Sequence, residues 1–263
     1  MTVSLIISTY NWPDALNLCF QSVLRQSRLP DEVIVADDGS KKETQQLVEE
    51  FAQTAPFPVK HIWHEDKGFR LAAIRNKAIV ASSSDYIIQI DGDIILHPHF
   101  IKDHLSVARK GFFTKGSRVL LGETLSTEIM NGEMPKCIIL QKDITKRANA
   151  LRFPLLGKIS AFMGNPKGFR HLCGCNMAFW RDDLIKVNGY NEDIYEWGGE
   201  DNEIAARLIH NGIYKQAIRW QMNAYHIFHP SNSKERLGLN NAILLKTVNE
   251  KKTRSENGLD KYI

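Results

Sequence analysis

The stretch DYIIQIDGDIIL, residues 85–96, carries two carboxylates directly out of an apolar segment. Its isoleucines form an almost continuous run, which is typical of a buried strand with helices on both faces of the sheet. Asp91 and Asp93 are separated only by Gly92. Two carboxylates this close repel each other unless a positive charge lies between or beside them, and a hard divalent cation meets that need. The stretch therefore predicts a buried strand that ends at a metal site.

Similar apolar segments occur upstream and alternate with helical patterns. VSLIIS, EVIVADDGS and VKHIWH are strand-like, and helical segments separate them. Such alternation is the signature of βαβ units. We therefore predict an α/β fold with a mostly parallel, Rossmann-like central sheet flanked by helices.

Polar residues also follow the first two predicted strands, at Ser8–Asn11 and Asp37–Ser40. Ligands of open α/β sheets bind beyond the carboxyl ends of the strands, so these ends and Asp91–Asp93 are expected to converge on one crevice. Taken alone, Asp37–Ser40 also fits an ordinary turn. The sequence contains neither GxxxxGK[ST] nor GxGxxG, which excludes the usual phosphate loops. A diphosphate bridged by a metal fits what remains and suggests a nucleotide-diphosphate donor.

A second motif, GYNEDIYEWGGEDNEIAARLIHNG, spans residues 189–212. Its second half has helical periodicity, which places Glu200 and Asp201 in the first turn. Acidic residues are favoured there by the helix dipole, so a well-capped surface helix is one interpretation. The two glycines after Trp197 favour another, because residues without side chains let a second molecule approach the backbone closely.

Composition limits the classes of protein that are possible. The 263 residues, 43% of them hydrophobic, suffice for a substantial core. The net charge of +4 is too small to imply a nucleic-acid partner. MTVSLIIS lacks the pattern of a signal peptide, and no run of apolar residues is long enough to predict a membrane span.

Cysteine content points to a reducing compartment. The four cysteines do not suggest a disulfide framework, so we expect free, buried thiols in a cytoplasmic protein. Cys173 and Cys175 together with His226 and His229 also offer a zinc set, although their spacing matches no common structural pattern.

Together these motifs resemble a known family. VSLIISTYNWPDALNLCFQSVLRQS, DEVIVADDGS and DYIIQIDGD resemble the family 2 glycosyltransferases of the GT-A fold. GYNEDIYEWGGEDNEIAARL is similar to the carboxyl-terminal motif of β1,4-galactosyltransferases and bacterial chondroitin polymerase domains. The resemblance implies a single GT-A domain over residues 1–263, with a nucleotide-sugar-binding half at 1–110 and an acceptor-binding half at 111–263.

For the donor, the resemblance implies that Thr9 and Tyr10 line the nucleotide pocket and that Asp38 accepts a hydrogen bond from the uracil ring. Arg70 and Arg75 occupy the places of basic contacts at the nucleotide end of the site. For Arg75, a solvated helix face is the alternative.

For the metal, Asp91 and Gly92 are expected to face the ribose and the metal environment, and Asp93 to ligate Mn²⁺ or Mg²⁺ directly. The family adds a histidine from the second half, and AYHIFHP, which reads as a short strand, supplies His226 and His229. The galactosyltransferases have a ligating methionine where this chain has His226. Whether one or both imidazoles bind, and which metal they prefer, stays open.

For the acceptor, the resemblance implies that Asp201 is the general base and that Glu200 binds a sugar hydroxyl. Trp197 is expected to form an apolar wall for a sugar face. Gly198 and Gly199 are expected to leave room for the donor sugar and the acceptor.

The segment 115–170 is poorly covered by the resemblance and mixes apolar with basic residues. Such a segment suits peripheral contact with the inner face of an anionic membrane, where a lipid-linked acceptor would be located. A loop or helix packed over the acceptor site is favoured instead, because proline and glycine interrupt any long helix.

The expected function is metal-dependent, inverting transfer of a hexose or N-acetylhexosamine from a UDP-sugar to a glycan or lipid-linked saccharide acceptor. A retaining transferase is an alternative, because fold does not fix stereochemistry. A sugar nucleotidyltransferase usually has a glycine-rich, basic amino-terminal loop, which STYNWPDAL is not. A non-catalytic glycan-binding module is disfavoured by the presence of Asp91, Asp93 and Asp201.

Overall fold

The computed structural model describes residues 1–135, 137–170, 172–230 and 235–263. Its strands are β1 (Val3–Thr9), β2 (Glu32–Asp37), β3 (Val59–Trp63), β4 (Tyr86–Asp91), β5 (Ile94–Leu96), β6 (Phe112–Lys115), β7 (Val119–Leu121), β8 (Ile144–Thr145), β9 (Met177–Trp180), β10 (Tyr214–Ala217) and β11 (Ala224–His226). Its α-helices are α1 (Pro13–Leu24), α2 (Lys42–Thr54), α3 (Leu71–Ala81), α4 (Phe100–Val107), α5 (Glu123–Met130), α6 (Pro154–Ser160), α7 (Arg181–Lys186), α8 (Glu200–His210) and α9 (Leu237–Asn249). Strands and helices alternate through β4, as the sequence predicts.

The central sheet has the strand order β10-β6-β9-β4-β1-β2-β3. Strands β3, β2, β1 and β4 are parallel, whereas β9 runs antiparallel to both β4 and β6. Strands from both halves of the sequence therefore join one sheet. This arrangement confirms the predicted α/β fold with a mostly parallel sheet flanked by helices.

Burial on both faces explains why the parallel strands are apolar without alternation. On β1, Leu5 and Ile7 join a core with side chains of α1 and α2, among them Phe20. Ile6 points to the opposite face and packs with α3 and α8, where Ile74 and Leu208 lie. Each strand thus supplies apolar residues to two cores, as expected for a sheet covered by helices on both sides.

A small second sheet has the order β5-β11-β7-β8. The sequence predicts residues 85–96 as one strand, but the structure divides them: β4 ends at Asp91, and Ile94 begins β5 in the second sheet. The turn at Gly92 causes the division, since its N–H donates to the carbonyl of Ser8 at 2.7 Å. A Cβ on Gly92 would lie 3.2 Å from that same oxygen, so the close turn favours glycine.

A buried ion pair lies within helix α8, whose first turn faces the site. Glu203 and Arg207 are both fully buried and joined at 2.6 Å. Thr247 of α9 donates to Glu203 at 2.9 Å. This hydrogen bond connects the buried pair to α9, and each charge of the pair needs the other because an unpaired buried charge is costly.

The segment before β9 forms the short helix α6, consistent with the predicted interruption by proline and glycine. Gly157 and Ser160 face the protein, whereas Leu155 and Phe162 are 79% and 76% exposed. The apolar side chains therefore point outward. Among the described helices, none combines the length and apolar character needed to cross a bilayer.

Candidate active site

Arg75 lies at the centre of the site, and its side chain is 1% exposed. Its Nη2 lies 3.0 Å from Oδ1 of Asp91 at the end of β4. Its Nη1 lies 3.4 Å from Oε1 of Glu200 and 3.3 Å from Oδ1 of Asp201, in the first turn of α8. One cation therefore joins the end of a strand to the start of a distant helix.

A solvated helix face for Arg75, the alternative from the sequence, is wrong. Helix α3 is buried on several sides, because the sheet, α8 and the loop before α8 all pack against it. Arg75 lies 5.4 Å from the ring centre of Tyr190 and donates to Ser8 Oγ at 3.3 Å. A charge enclosed in this way needs acidic partners, and the carboxylates supply them.

Helix α8 presents its acids to the site rather than capping itself with them. Gly199 occupies the N-cap position, and no side chain caps the helix. Asp201 Oδ2 instead accepts a hydrogen bond from the backbone N–H of Gly174 at 2.7 Å. A Cβ on Gly174 would lie 2.6 Å from the Asp201 carboxylate, so only glycine permits this approach. Asp201 is thus held from outside its own helix.

Three carboxylates around one guanidinium leave a surplus of negative charge. Burial raises the pKa of Asp91 to about 6, although Arg75 acts in the opposite direction. Burial and the charge of Asp201 together raise the pKa of Glu200 to about 8. The raised pKa favours the protonated form of Glu200, in which the carboxyl group can donate a hydrogen bond.

Asp93 forms a separate cluster with two histidines. Its Oδ2 lies 3.4 Å from Nε2 of His226 and 3.3 Å from Nε2 of His229. One possible ligand atom from each of these residues lies within 4.8 Å of the others. The second sheet creates this proximity, because His226 pairs with Ile94 across β11 and β5. His229 lies beyond the end of β11, so AYHIFHP is not one strand.

The three residues fit a divalent cation. Oδ1 of Asp93 is buried and, within the described residues, has no hydrogen-bond partner. Burial lowers the pKa of His226 to about 4, which keeps its imidazole neutral, as a metal ligand must be. A hydrogen bond from His229 to Asp93 raises the pKa of His229. Two imidazoles disfavour Mg²⁺, which prefers an oxygen environment with several waters.

The residues predicted for the nucleotide lie at the carboxyl ends of β1 and β2. The N–H of Asp38 donates to the carbonyl of Thr9 at 3.0 Å, and Tyr10 is 49% exposed beside them. Asp38 accepts from His64 at 2.6 Å and from the N–H of Arg70 at 2.8 Å. Each carboxylate oxygen has a further lone pair, so a contact with uracil stays a prediction.

The glycines before α8 have a backbone requirement of their own. Gly198 and Gly199 have φ values of +98° and +104°, which disfavour other residues. Helix α9 also approaches closely, since Asn240 donates to the carbonyl of Gly198 at 2.9 Å. Trp197 next to them is 40% exposed. Their predicted contacts with sugars stay predictions.

Three residues of the site are not predicted from the sequence. Gly174 contacts Asp201, and Tyr190 contacts Arg75. His64 contacts Asp38. Tyr190 lies inside the quoted GYNEDIYEW motif. Gly174 is flanked by Cys173 and Cys175, and the sequence marks this CGC segment only as part of a possible zinc set.

The cysteines are free, as expected, but not all are buried. Cys19 and Cys175 are buried, whereas Cys137 is exposed. The Sγ atoms of Cys173 and Cys175 lie 3.6 Å apart. Within the described residues, the group able to hold a metal is Asp93 with its histidines and includes neither cysteine.

Comparison with known families agrees with this geometry. The sequence profile of glycosyl transferase family 2 matches residues 4–187, and that of the N-terminal domain of galactosyltransferase matches residues 157–230. The first match covers more than half of the chain. The chain therefore belongs to glycosyl transferase family 2, and the resemblance expected from its motifs is confirmed.

Relatives and solved structures support the same family and fold. Chondroitin synthase of Escherichia coli is 28% identical over 89% of this chain, which spans only 36% of that relative. A fragment of S. aureus TarS in complex with UDP has a TM-score of 0.63 and 17% identity, covering 93% of this chain and 64% of that one. A mannosyltransferase from Pyrobaculum calidifontis in complex with GDP-Man and Mn²⁺ has a TM-score of 0.60 and 19% identity, and the match covers 95% of this chain and 63% of that one. At these identities the two structures show a shared fold.

The raised pKa of Glu200 predicts a pH-dependent cost to stability. A folded-state pKa of about 8 means that the folded protein binds more protons than the unfolded chain above pH 4.5, so stability falls as pH rises towards 8. Glu200→Gln removes this loss. In urea unfolding, we expect the variant to gain about 1 kcal/mol or more over the natural protein between pH 5 and pH 8.5.

The exposed Glu128 on α5 provides the control. The free energy of unfolding of Glu128→Gln should change between pH 5 and pH 8.5 as it does in the natural protein. Equal pH dependence of stability in the natural protein and in Glu200→Gln would show that Glu200 is ionised throughout this range.

Proposed function

We propose that this chain is a metal-dependent, inverting glycosyltransferase that moves a hexose or N-acetylhexosamine from a UDP-sugar to a hydroxyl of a glycan acceptor. One observation carries the proposal: Asp201, a carboxylate held by Gly174 N–H, shares the guanidinium of Arg75 with Asp91, which precedes Asp93 of the candidate metal trio by two residues. A base and a cation site are then neighbours. Residues 1–110 provide most of the donor contacts, and residues 111–263 provide the acceptor side.

The donor is bound at the ends of β1, β2 and β4. Asp93, His226 and His229 would hold the cation, Mn²⁺ in this proposal, which would supply positive charge to the leaving diphosphate. The complexes of TarS with UDP and of the mannosyltransferase with GDP-Man and Mn²⁺ support a nucleotide donor and a metal on this fold. Arg75 keeps Asp91 in place next to the trio.

Asp201 is the base. The acceptor hydroxyl is a weak nucleophile, and a carboxylate within hydrogen-bond reach takes its proton as the new bond forms at the anomeric carbon. The bond from that carbon to the diphosphate breaks at the same time, and its electron pair leaves with UDP. The raised pKa of Glu200 favours its protonated form, which would donate a hydrogen bond to a sugar hydroxyl. A single displacement from the opposite face inverts the anomeric configuration.

Replacing Asp93 tests the metal site. We expect Asp93→Asn to weaken Mn²⁺-dependent binding of UDP by tenfold or more, because it removes the charged ligand of the trio. Calorimetric titration of UDP with Mn²⁺, and again with a chelator, measures the metal-dependent part. Circular dichroism checks that the fold is retained.

The same titration separates the histidines. His226→Ala and His229→Ala should each reduce the metal-dependent affinity, and we expect the larger loss for His229, the more exposed of the two. Unchanged affinity in Asp93→Asn would place the metal elsewhere.

Replacing Asp201 tests the base. Asp201→Asn keeps an oxygen that accepts from Gly174 N–H but loses the proton acceptor, so turnover should fall by about a hundredfold or more. UDP affinity, measured alongside, reports whether the donor site is intact. Asp182→Asn, in the first turn of α7 and exposed, is the matched control and should retain turnover.

The stereochemistry of the product completes this test. Proton NMR of the anomeric signal should show a β-linked product from an α-linked donor. An α-linked product would support a retaining transferase, whereas a β-linked product with near-normal Asp201→Asn turnover would transfer the role of base to Glu200.

The exposed apolar side chains of α6 and of the turn that follows it support peripheral membrane contact. Leu155 of α6 and Phe162 and Met163 of the turn are each more than 70% exposed, and the exposed Lys158 lies between them in the sequence. Such a face binds an anionic surface weakly and loses affinity as salt screens the charge. In vesicle sedimentation, we expect weak, salt-sensitive binding to anionic vesicles and none to neutral ones.

A double variant, Leu155→Gln with Phe162→Gln, should abolish this vesicle binding. Tight binding that persists at high salt would instead mean that the segment inserts, and no binding at low salt would remove the membrane from the proposal.

A further inference from the structure

A cavity of about 630 Å³ lies on the acceptor side of the chain. Its walls come from the β6–β7 connection, the segment after β8, the segment before β9 and the residues after β10. Lys115, Arg118, Lys146 and Arg219 all line it. The lining residues that the structure describes include no carboxylate, so four basic residues line one space with no acidic residue among them.

The cations are not paired elsewhere. Across the described ranges, none of the four forms an ion pair with an acidic side chain, although neighbouring Arg152 pairs with Asp103 at 2.6 Å. Arg118 donates to the Sγ of Cys175 at 2.8 Å, and its Nε is buried with no partner. A buried guanidinium N–H without an acceptor is costly, so an acceptor from a ligand would relieve it.

The cavity adjoins the proposed base. Cys173 and Cys175 form part of its wall, and between them the N–H of Gly174 donates to Asp201 at 2.7 Å. The carbonyl of Gly174 accepts from Gln89 of β4 at 3.0 Å, which fixes the segment between sheet and cavity. The cavity and the contact that holds Asp201 therefore share the segment Cys173–Cys175.

We propose that this cavity binds an anionic group of the acceptor saccharide, so that the acceptor is an acidic glycan. The inference rests on the proposed glycosyltransferase function and specifies its substrate class. Charge-assisted hydrogen bonds from lysine and arginine to an anion are stronger than neutral ones, more so in a partly enclosed space. The anion is the carboxylate of a uronic acid or the phosphate of a polyol phosphate chain, and both offer the same chemistry to these cations.

Binding of matched oligosaccharides tests the proposal in the full chain with UDP and Mn²⁺ present. The probes are a uronic-acid-containing hexasaccharide, the same hexasaccharide with its carboxyl groups reduced to alcohols, and a glycerol phosphate oligomer. We expect calorimetry to show about tenfold tighter binding of one charged probe than of the reduced probe. The charged probe that binds more tightly identifies the anion.

Two double variants locate the effect. Lys146→Gln with Arg219→Gln should lose about tenfold in affinity for the charged probe and little for the reduced one. Lys142→Gln with Lys186→Gln removes the same net charge from exposed sites outside the cavity lining. This variant should still bind the charged probe more tightly than the reduced one. A larger loss in the first variant than in the second excludes a general charge effect.

Three results would overturn the proposal: equal binding of charged and reduced probes by the natural protein, no binding of any probe, or loss of UDP affinity in Lys146→Gln with Arg219→Gln. The last would assign the cavity to the donor diphosphate. Hydrolysis of UDP-sugars without acceptor tests the transferase function separately, so a failure of either idea is recognised on its own.

Discussion

The buried guanidinium of Arg75 is the contact on which the site depends. It pairs with Asp91 at the end of β4 and with Glu200 and Asp201 at the start of α8. Without this cation the carboxylates of the two elements would repel each other. Arginine suits this place because it stays charged when buried and its planar fork reaches several acceptors at once. The sheet and α8 are thereby joined at the point where the proposed chemistry occurs.

The two carboxylates of the Asp91-Gly92-Asp93 turn face different cations. Neighbours two apart in a regular strand share a face. The close turn at Gly92 ends β4 and starts β5, so this rule does not hold here. Asp91 turns to Arg75, whereas Asp93 turns to His226 and His229. The sequence predicts repulsion between the carboxylates of Asp91 and Asp93. In the structure, Asp91 pairs with Arg75, and Asp93 lies beside two histidines with which it could hold a metal.

The CGC segment, Cys173–Cys175, contacts two chemical environments. Gly174 contacts Asp201 and lies against the acidic cluster around Arg75. The flanking cysteines line a cavity rich in lysine and arginine. An excess of negative charge and an excess of positive charge thus lie against the same three residues. Burial and the charge of Asp201 raise the pKa of Glu200 in the acidic cluster, whereas the cavity would suit the anionic acceptor that we propose.

The sequence by itself determined the α/β fold and the family, and it predicted most of the residues that the structure brings together around Arg75 and Asp93. Continuous apolar strands followed by acids carry that information locally, and so does the WGGED motif at a helix start. Only the tertiary structure decided which acid meets which cation. Arg75 and Glu200 are 125 residues apart, and nothing in the local pattern of α3 distinguishes a buried arginine from a solvated one. The same holds for Gly174 and the cationic cavity, whose residues come together only when separate loops pack around one space.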